Sequence, residues 1–175
     1  MRRLMLLRHA KAERVEPGRS DFDRALAPEG REASPRIGTY MAAHGLIPDL
    51  VICSSARRAK ETWELASGAF APFPRTTFDK RVYEFDAGEL LDLARTTRGD
   101  VHALLLVGHN PSLEDLAALT IATGDLVGRG RMAEKFPTGA LAVIDFPFDA
   151  WTKVHPHSGR FDRLITLRDI AAGTD

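Results

Sequence analysis

Four short apolar runs, at residues 4–7, 50–53, 103–107 and 140–146, punctuate this chain, and stretches of helical spacing fill the intervals between them. Continuous apolar runs of this length suit strands buried on both faces, which need helices above and below the sheet. After Pro28-Glu29-Gly30, residues Ala33, Ile37, Tyr40 and Met41 recur near helical spacing, and Pro35 is expected to kink that helix or delay its start. Ser54 or Ser55 is placed to cap a helix reaching about residue 69, with Ala59, Trp63 and Ala66 along its inner side. A further helix is expected over residues 87–97. Asn110-Pro111 reads as a helix opening that buries Leu113, Leu116, Ala117 and Ile121. Strands alternating with helices predict a three-layer α/β fold, a mostly parallel central sheet with helices on both faces. Residues 163–167 alternate in polarity and are expected to add an edge strand.

The chain has 175 residues, enough for one domain spanning 1–175 with a substantial core. Its 24 basic and 24 acidic residues cancel, so a general affinity for nucleic acid or an anionic membrane has no support. Cys53, the single cysteine, excludes an internal disulfide and reads as a buried strand thiol. The apolar start ends at Arg8-His9, too soon for an export signal or a membrane span, so a cytoplasmic location is the default expectation; for oligomeric state the default is a monomer.

Two of the runs end in histidine: Leu7-Arg8-His9-Ala10 and Gly108-His109-Asn110-Pro111. If both strands lie in one sheet, His9 and His109 emerge at one edge with Arg8 beside them. A third fragment, Ser54 to Thr62, follows a strand and opens a helix, adding Arg57 or Arg58 near the helix's positive end. Two imidazoles with guanidinium groups suit a phosphoryl group, whose transfer needs positioning and charge stabilisation. A neutral imidazole can attack phosphorus, and nearby guanidinium groups would hold its pKa down. Glu84, with Asp86 behind it, is the preferred proton donor for an alkoxide leaving group. Residues 10–27 follow directly on Arg8-His9 as a charged loop, where Lys11 and Arg24 are placed to steer an anionic substrate. His155-Pro156-His157 lacks a third ligand and reads as an exposed turn, so no metal is expected.

Leu7-Arg8-His9-Ala10 resembles the Arg-His-Gly signature of the histidine phosphatase (phosphoglycerate mutase-like) superfamily. Ala10 replaces the usual glycine, as among its small bacterial phosphohistidine phosphatases. Asp21 to Leu26 followed by Glu29-Gly30 is similar to that subgroup's segment before its first helix, and Phe136 to Ala140 to a late family element. Arg58-Ala59-Lys60-Glu61-Thr62 resembles the family's Arg-Ala-x-x-Thr, which selects Arg58 over Arg57, and residues 106–111 resemble the segment bearing the second histidine. The resemblance implies a cofactor-independent phosphatase in which His9 becomes a transient phosphohistidine and Arg8, Arg58 and His109 form the phosphate pocket. It also implies phosphohistidine on a partner protein as substrate. The alternatives are a small-molecule phosphomonoesterase of the same superfamily and a non-catalytic phospho-ligand sensor.

Overall fold

The computed structural model describes residues 1–173. Among them, β1 (Arg2–Arg8), β2 (Leu50–Ser54), β3 (Arg75–Asp79), β4 (Ala103–Gly108), β5 (Ile121–Gly124), β6 (Leu141–Phe146) and β7 (Gly159–Ile165) form one sheet. Their spatial order is β3-β2-β4-β1-β6-β7-β5. The first four strands run parallel, β6 is antiparallel to β1 and β7, and β5 is parallel to β7. The helices are α1 (Pro28–Ala43), α2 (Arg57–Ala66), α3 (Arg81–Glu84), α4 (Ala87–Arg95), α5 (Ser112–Thr120), α6 (Leu126–Glu134) and α7 (Leu167–Ala172).

The sheet is covered on both faces, as the unbroken apolar runs require. Leu4 and Leu6 of β1 pack with Leu90 of α4, Leu116 of α5 and Trp151 on one face. Met5 and Leu7 pack with Ile37 and Met41 of α1 and Trp63 of α2 on the other. Each fully buried side chain of this kind contributes about 1.5–3 kcal/mol. Cys53 lies in that second cluster, and burial pushes its thiol pKa up, away from reactivity. Among the described residues no helix is long and apolar enough to cross a membrane.

Several local expectations give way to tertiary context. Pro35 does not delay α1, which starts at Pro28 and runs through it; the proline lies on the exposed side, where the carbonyl it leaves unpaired can meet water. No serine side chain caps α2: its N-cap is Ala56, and the hydroxyl of Ser54 accepts from the Ala56 N–H while turning toward His109. The segment after Ala66 tightens into a 3₁₀ turn, Ser67–Ala69. Asn110 does not cap α5 either; its amide nitrogen donates to Glu114 Oε2 at 2.9 Å and to the Phe136 carbonyl at 3.2 Å. Helix α4 carries a reciprocal cap between Asp86 and Glu89. The C-terminal strand covers Gly159–Ile165 and is not the edge. That place goes to β5, which begins at the expected helix residue Ile121. Edge strand β3, absent from the sequence reading, has no fully buried residue and therefore no apolar run to reveal it.

Candidate active site

Register brings the two histidine fragments together. Leu7 pairs with Val107 and Arg8 with Gly108 in the parallel ladder, and the His9 N–H donates to the Gly108 carbonyl at 3.0 Å. On the other side of β4, Cys53 pairs with Val107, which sets Ser54 level with the same edge. His9 and His109 therefore leave adjacent strands one residue past the last pair, and their ring centroids lie 5.2 Å apart. Both are buried, at 6% and 8% exposure, and Arg58 beside them is 4% exposed.

The hydrogen bonds assign the tautomers. Nδ1 of His9 lies 2.7 Å from the Ala10 carbonyl, which can only accept, so the proton is on Nδ1 and the lone pair on Nε2. Arg58 Nε donates to that Nε2 at 3.3 Å. Nε2 of His109 lies 2.8 Å from Ser54 Oγ, a buried hydroxyl that accepts from Ala56 N–H and has no other acceptor for its own hydrogen among the described residues. With the hydroxyl donating to Nε2, His109 carries its proton on Nδ1, a buried donor with no partner among the described residues. Nε of Arg8 is a second such donor, although Arg8 Nη1 is held by the Phe136 carbonyl at 2.9 Å. Buried donors without acceptors are rare, and two beside a lone-pair nitrogen fit the oxygens of a tetrahedral anion.

Burial, more than the guanidinium groups, depresses the histidines. For His9 it outweighs the Ala10 hydrogen bond, which opposes it, and with smaller contributions from Arg58, Arg8 and Arg24 the pKa falls to about 4. His109 falls to about 3, again mainly by burial, then by His9 and Arg58. Both rings are neutral at pH 7.

Arg58 is anchored by Asp21, a residue without an assigned role in the sequence reading. Its Nη1 donates to the Asp21 carbonyl at 2.7 Å and its Nη2 to Asp21 Oδ2 at 3.0 Å. Arg24 joins the same carboxylate through Nε and Nη2 at 3.1 and 2.8 Å, and the Tyr83 hydroxyl donates to it at 2.9 Å. Burial raises the Asp21 pKa, but these hydrogen bonds and the charges of Arg58 and Arg24 bring it to about 2. Tyr83 also sets its ring edge-on to His109 at 5.3 Å. Its chain neighbour Glu84 is exposed and 3.7 Å from Lys80. Asp86 is committed to its helix cap, and Lys11 is exposed and paired with Glu29 at 3.0 Å. The structure thus gathers His9, His109, Arg8, Arg58 and Arg24, and holds Glu84 and Lys11 outside that hydrogen-bonded cluster.

Residues 10–27 form a tethered strap. Ala12 bridges Leu26, the Ala27 N–H donates to the Lys11 carbonyl at 2.9 Å, and Leu26 N–H donates to Glu61 Oε2 at 2.8 Å. A cavity of about 690 Å³ runs along it, sharing Asp21 and Arg24 with the cluster and otherwise lined by residues such as Arg14, Glu16 and Arg57. Neither His9 nor His109 lines it. The exposed His155 and His157 join no cluster, and no metal-ligating group of three is found among the described residues.

Fold and site together define an α/β protein with a buried, neutral histidine pair and arginines at the C-terminal edge of the parallel strands of a mixed sheet. The chain belongs to the histidine phosphatase superfamily (branch 1), whose family model matches residues 4–113. It is 34% identical over 153 residues to the uncharacterised protein Rv1276c of Mycobacterium tuberculosis, covering 86% of this chain and 92% of that one. Among solved structures it is similar to one described provisionally as the phosphohistidine phosphatase SixA of Agrobacterium tumefaciens. The TM-score is 0.76, with 29% identity over 94% of this chain and 98% of the other. The protein histidine phosphatase SixA solved with tungstate has the same fold, at TM-score 0.76 and 19% identity, covering 96% and 99%.

Proposed function

We propose that the protein is a phosphatase that works through a phosphohistidine on His9, with phosphohistidine on a partner protein as its substrate. The observation that carries this reading is the state of His9: neutral, with Nδ1–H tied to the Ala10 carbonyl and Nε2 presented between Arg58 Nε and unpartnered donors. In the first step the Nε2 lone pair forms a bond to phosphorus, and the bond from phosphorus to the leaving nitrogen breaks with its electron pair. Arg8 Nε, His109 Nδ1–H and Arg58 Nε stabilise the phosphoryl oxygens. In the second step water attacks phosphorus, inorganic phosphate leaves, and Nε2 recovers its lone pair while the water proton passes to solvent. No step requires a cofactor.

Placement of Glu84 favours phosphohistidine over an alkyl phosphate. An imidazole departs with a modest demand for a proton, whereas an alkoxide needs an acid within hydrogen-bond reach, and Glu84 is engaged with Lys80 at the surface. Similarity to the Agrobacterium protein supports the same substrate class. A small-molecule phosphomonoesterase with Glu84 as its donor is the second reading, and it requires Glu84 to swing inward.

Acid-quench trapping with a labelled phosphoryl donor tests the mechanism. Label should appear on wild type and be lost in His9→Ala; an unlabelled wild type, or a labelled His9→Ala, overturns it. Turnover of a phosphohistidine protein against a panel of alkyl phosphates tests the substrate, and faster hydrolysis of the alkyl esters by orders of magnitude would reverse the assignment.

A further inference from the structure

We propose that Asp21 is a positioning residue of this site: it holds the Arg58 guanidinium so that its inner Nε–H faces His9 and the phosphoryl group. The proposal rests on the phospho-His9 reading. Both outer nitrogens of Arg58 are used by Asp21, one on its carbonyl and one on its carboxylate. An arginine with a free outer pair could turn it on two phosphate oxygens, whereas in Arg58 that pair already grips Asp21. Two of the five N–H hydrogens of Arg58 are thereby used, and the Nε–H lies 3.3 Å from His9 Nε2 and its lone pair. When that lone pair is consumed by the new bond to phosphorus, the same N–H is left facing a phosphoryl oxygen. The acceptor changes while Asp21 keeps hold of the outer nitrogens, so the guanidinium has only a small shift to make during transfer.

Asp21 is itself held. The Asp23 N–H donates to the Ser20 carbonyl and the Arg24 N–H to the Asp21 carbonyl, each at 3.2 Å, closing a 3₁₀ turn at Asp21–Asp23. Arg24 and the Tyr83 hydroxyl take the remaining sides of the carboxylate. Tyr83 in turn lies under Arg58, whose Cζ is 5.8 Å from the ring centroid, and meets His109 edge-on. One carboxylate on the strap therefore links an arginine from α2, an arginine of the strap and a tyrosine from α3. Through Arg58 it bears on the nucleophile, without touching it.

The test measures single-turnover phosphorylation of His9 by labelled acetyl phosphate in the full chain, normalised per folded molecule. Wild type, Asp21→Asn, Asp21→Glu, Arg58→Lys and the double variant Asp21→Asn/Arg58→Lys are compared. Asp21→Asn and Asp21→Glu should each slow phosphorylation on the order of 10²-fold, because the donor is misplaced by about an ångström. Asp21→Glu keeps the charge pairing and with it the thermal stability, so a loss of rate there cannot be assigned to unfolding. In the Arg58→Lys background, which removes Nε–H, Asp21→Asn should add less than about threefold. The proposal is overturned if both Asp21 variants phosphorylate within about threefold of wild type, or if Asp21→Asn costs the same in either background. Wild type that takes no label overturns the phospho-His9 reading and this proposal with it, which separates the two failures.

Discussion

Protonating the histidine pair should weaken the fold over a defined pH range, to which His9 contributes about half. Its pKa is about 4 inside the protein against an ordinary 6.5, with burial as the main cause. A base depressed by folding binds fewer protons folded than unfolded between those two values. Stability is therefore intact above about pH 6.5 and declines as the pH falls through 6.5 toward 4. The difference corresponds to about 3 kcal/mol by pH 4. For a domain of this size that is a fall in Tm of about 6–12 °C. Calorimetry of wild type and His9→Gln at pH 7, 6, 5 and 4 isolates the His9 part, because glutamine cannot titrate and His109 is present in both. His9→Gln should gain on wild type by that amount between pH 7 and pH 4. The acid limb of kcat/KM should likewise fall near pH 4 and leave activity flat from 5 to 7. Parallel Tm curves for the two proteins, or an acid limb near 6.5, would refute the reasoning, since either result means that the ring is hydrated.

Three further outcomes follow from single contacts. Ser54→Ala removes the hydroxyl that fixes the His109 tautomer and accepts from Ala56 N–H, so kcat on a small phosphoryl donor should drop by about tenfold or more, with a loss of stability of about 1–3 kcal/mol. Gly38→Ala places a methyl group 1.9 Å from the Ala66 carbonyl oxygen at the crossing of α1 and α2. Backbone cannot sidestep, and denaturation should show a loss of about 1–3 kcal/mol despite the better helix propensity. Trp63→Ala empties a fully buried site and strips the 2.9 Å hydrogen bond from the indole to Thr76 Oγ1; the cost should be about 3–5 kcal/mol.

What the chain discloses before folding depends on whether its signal is carried by burial or by direction. β1 and β4 are legible because both faces are covered and every position from Leu4 to Leu7 and from Leu104 to Val107 is apolar. β3 is illegible because it lies at an edge and buries no residue completely. His9, His109 and Arg8 are legible for the same reason as their strands: a polar residue directly after a buried run must emerge at the sheet edge. Helices mislead where a side chain that could cap is taken by the site. Ser54 is turned to His109, and the Asn110 amide to the Phe136 carbonyl that also holds Arg8. Both belong to the network around the histidines.

Direction is what the residue pattern lacks, and Tyr83 and Glu84 show it at adjacent positions. A carboxylate suggests an acid, yet in the short helix α3 the tyrosine turns toward His109 and Asp21 while the glutamate turns toward Lys80. Asp21 sits in a loop rich in both charges, where an acidic residue ordinarily means a solvated surface. Only its three-sided contact with Arg58, Arg24 and Tyr83 separates it from Glu13 or Glu16. That contact also settles a question of charge. Arg58 and Arg24 beside two buried imidazoles would otherwise hold unbalanced positive charge, at a cost of several kcal/mol. An ionised Asp21 offsets it at the outer nitrogens and leaves Nε and the unpartnered donors of Arg8 and His109 directed at an incoming anion. The site can thus keep its rings neutral, its arginines charged and its anion-facing donors unoccupied at the same time.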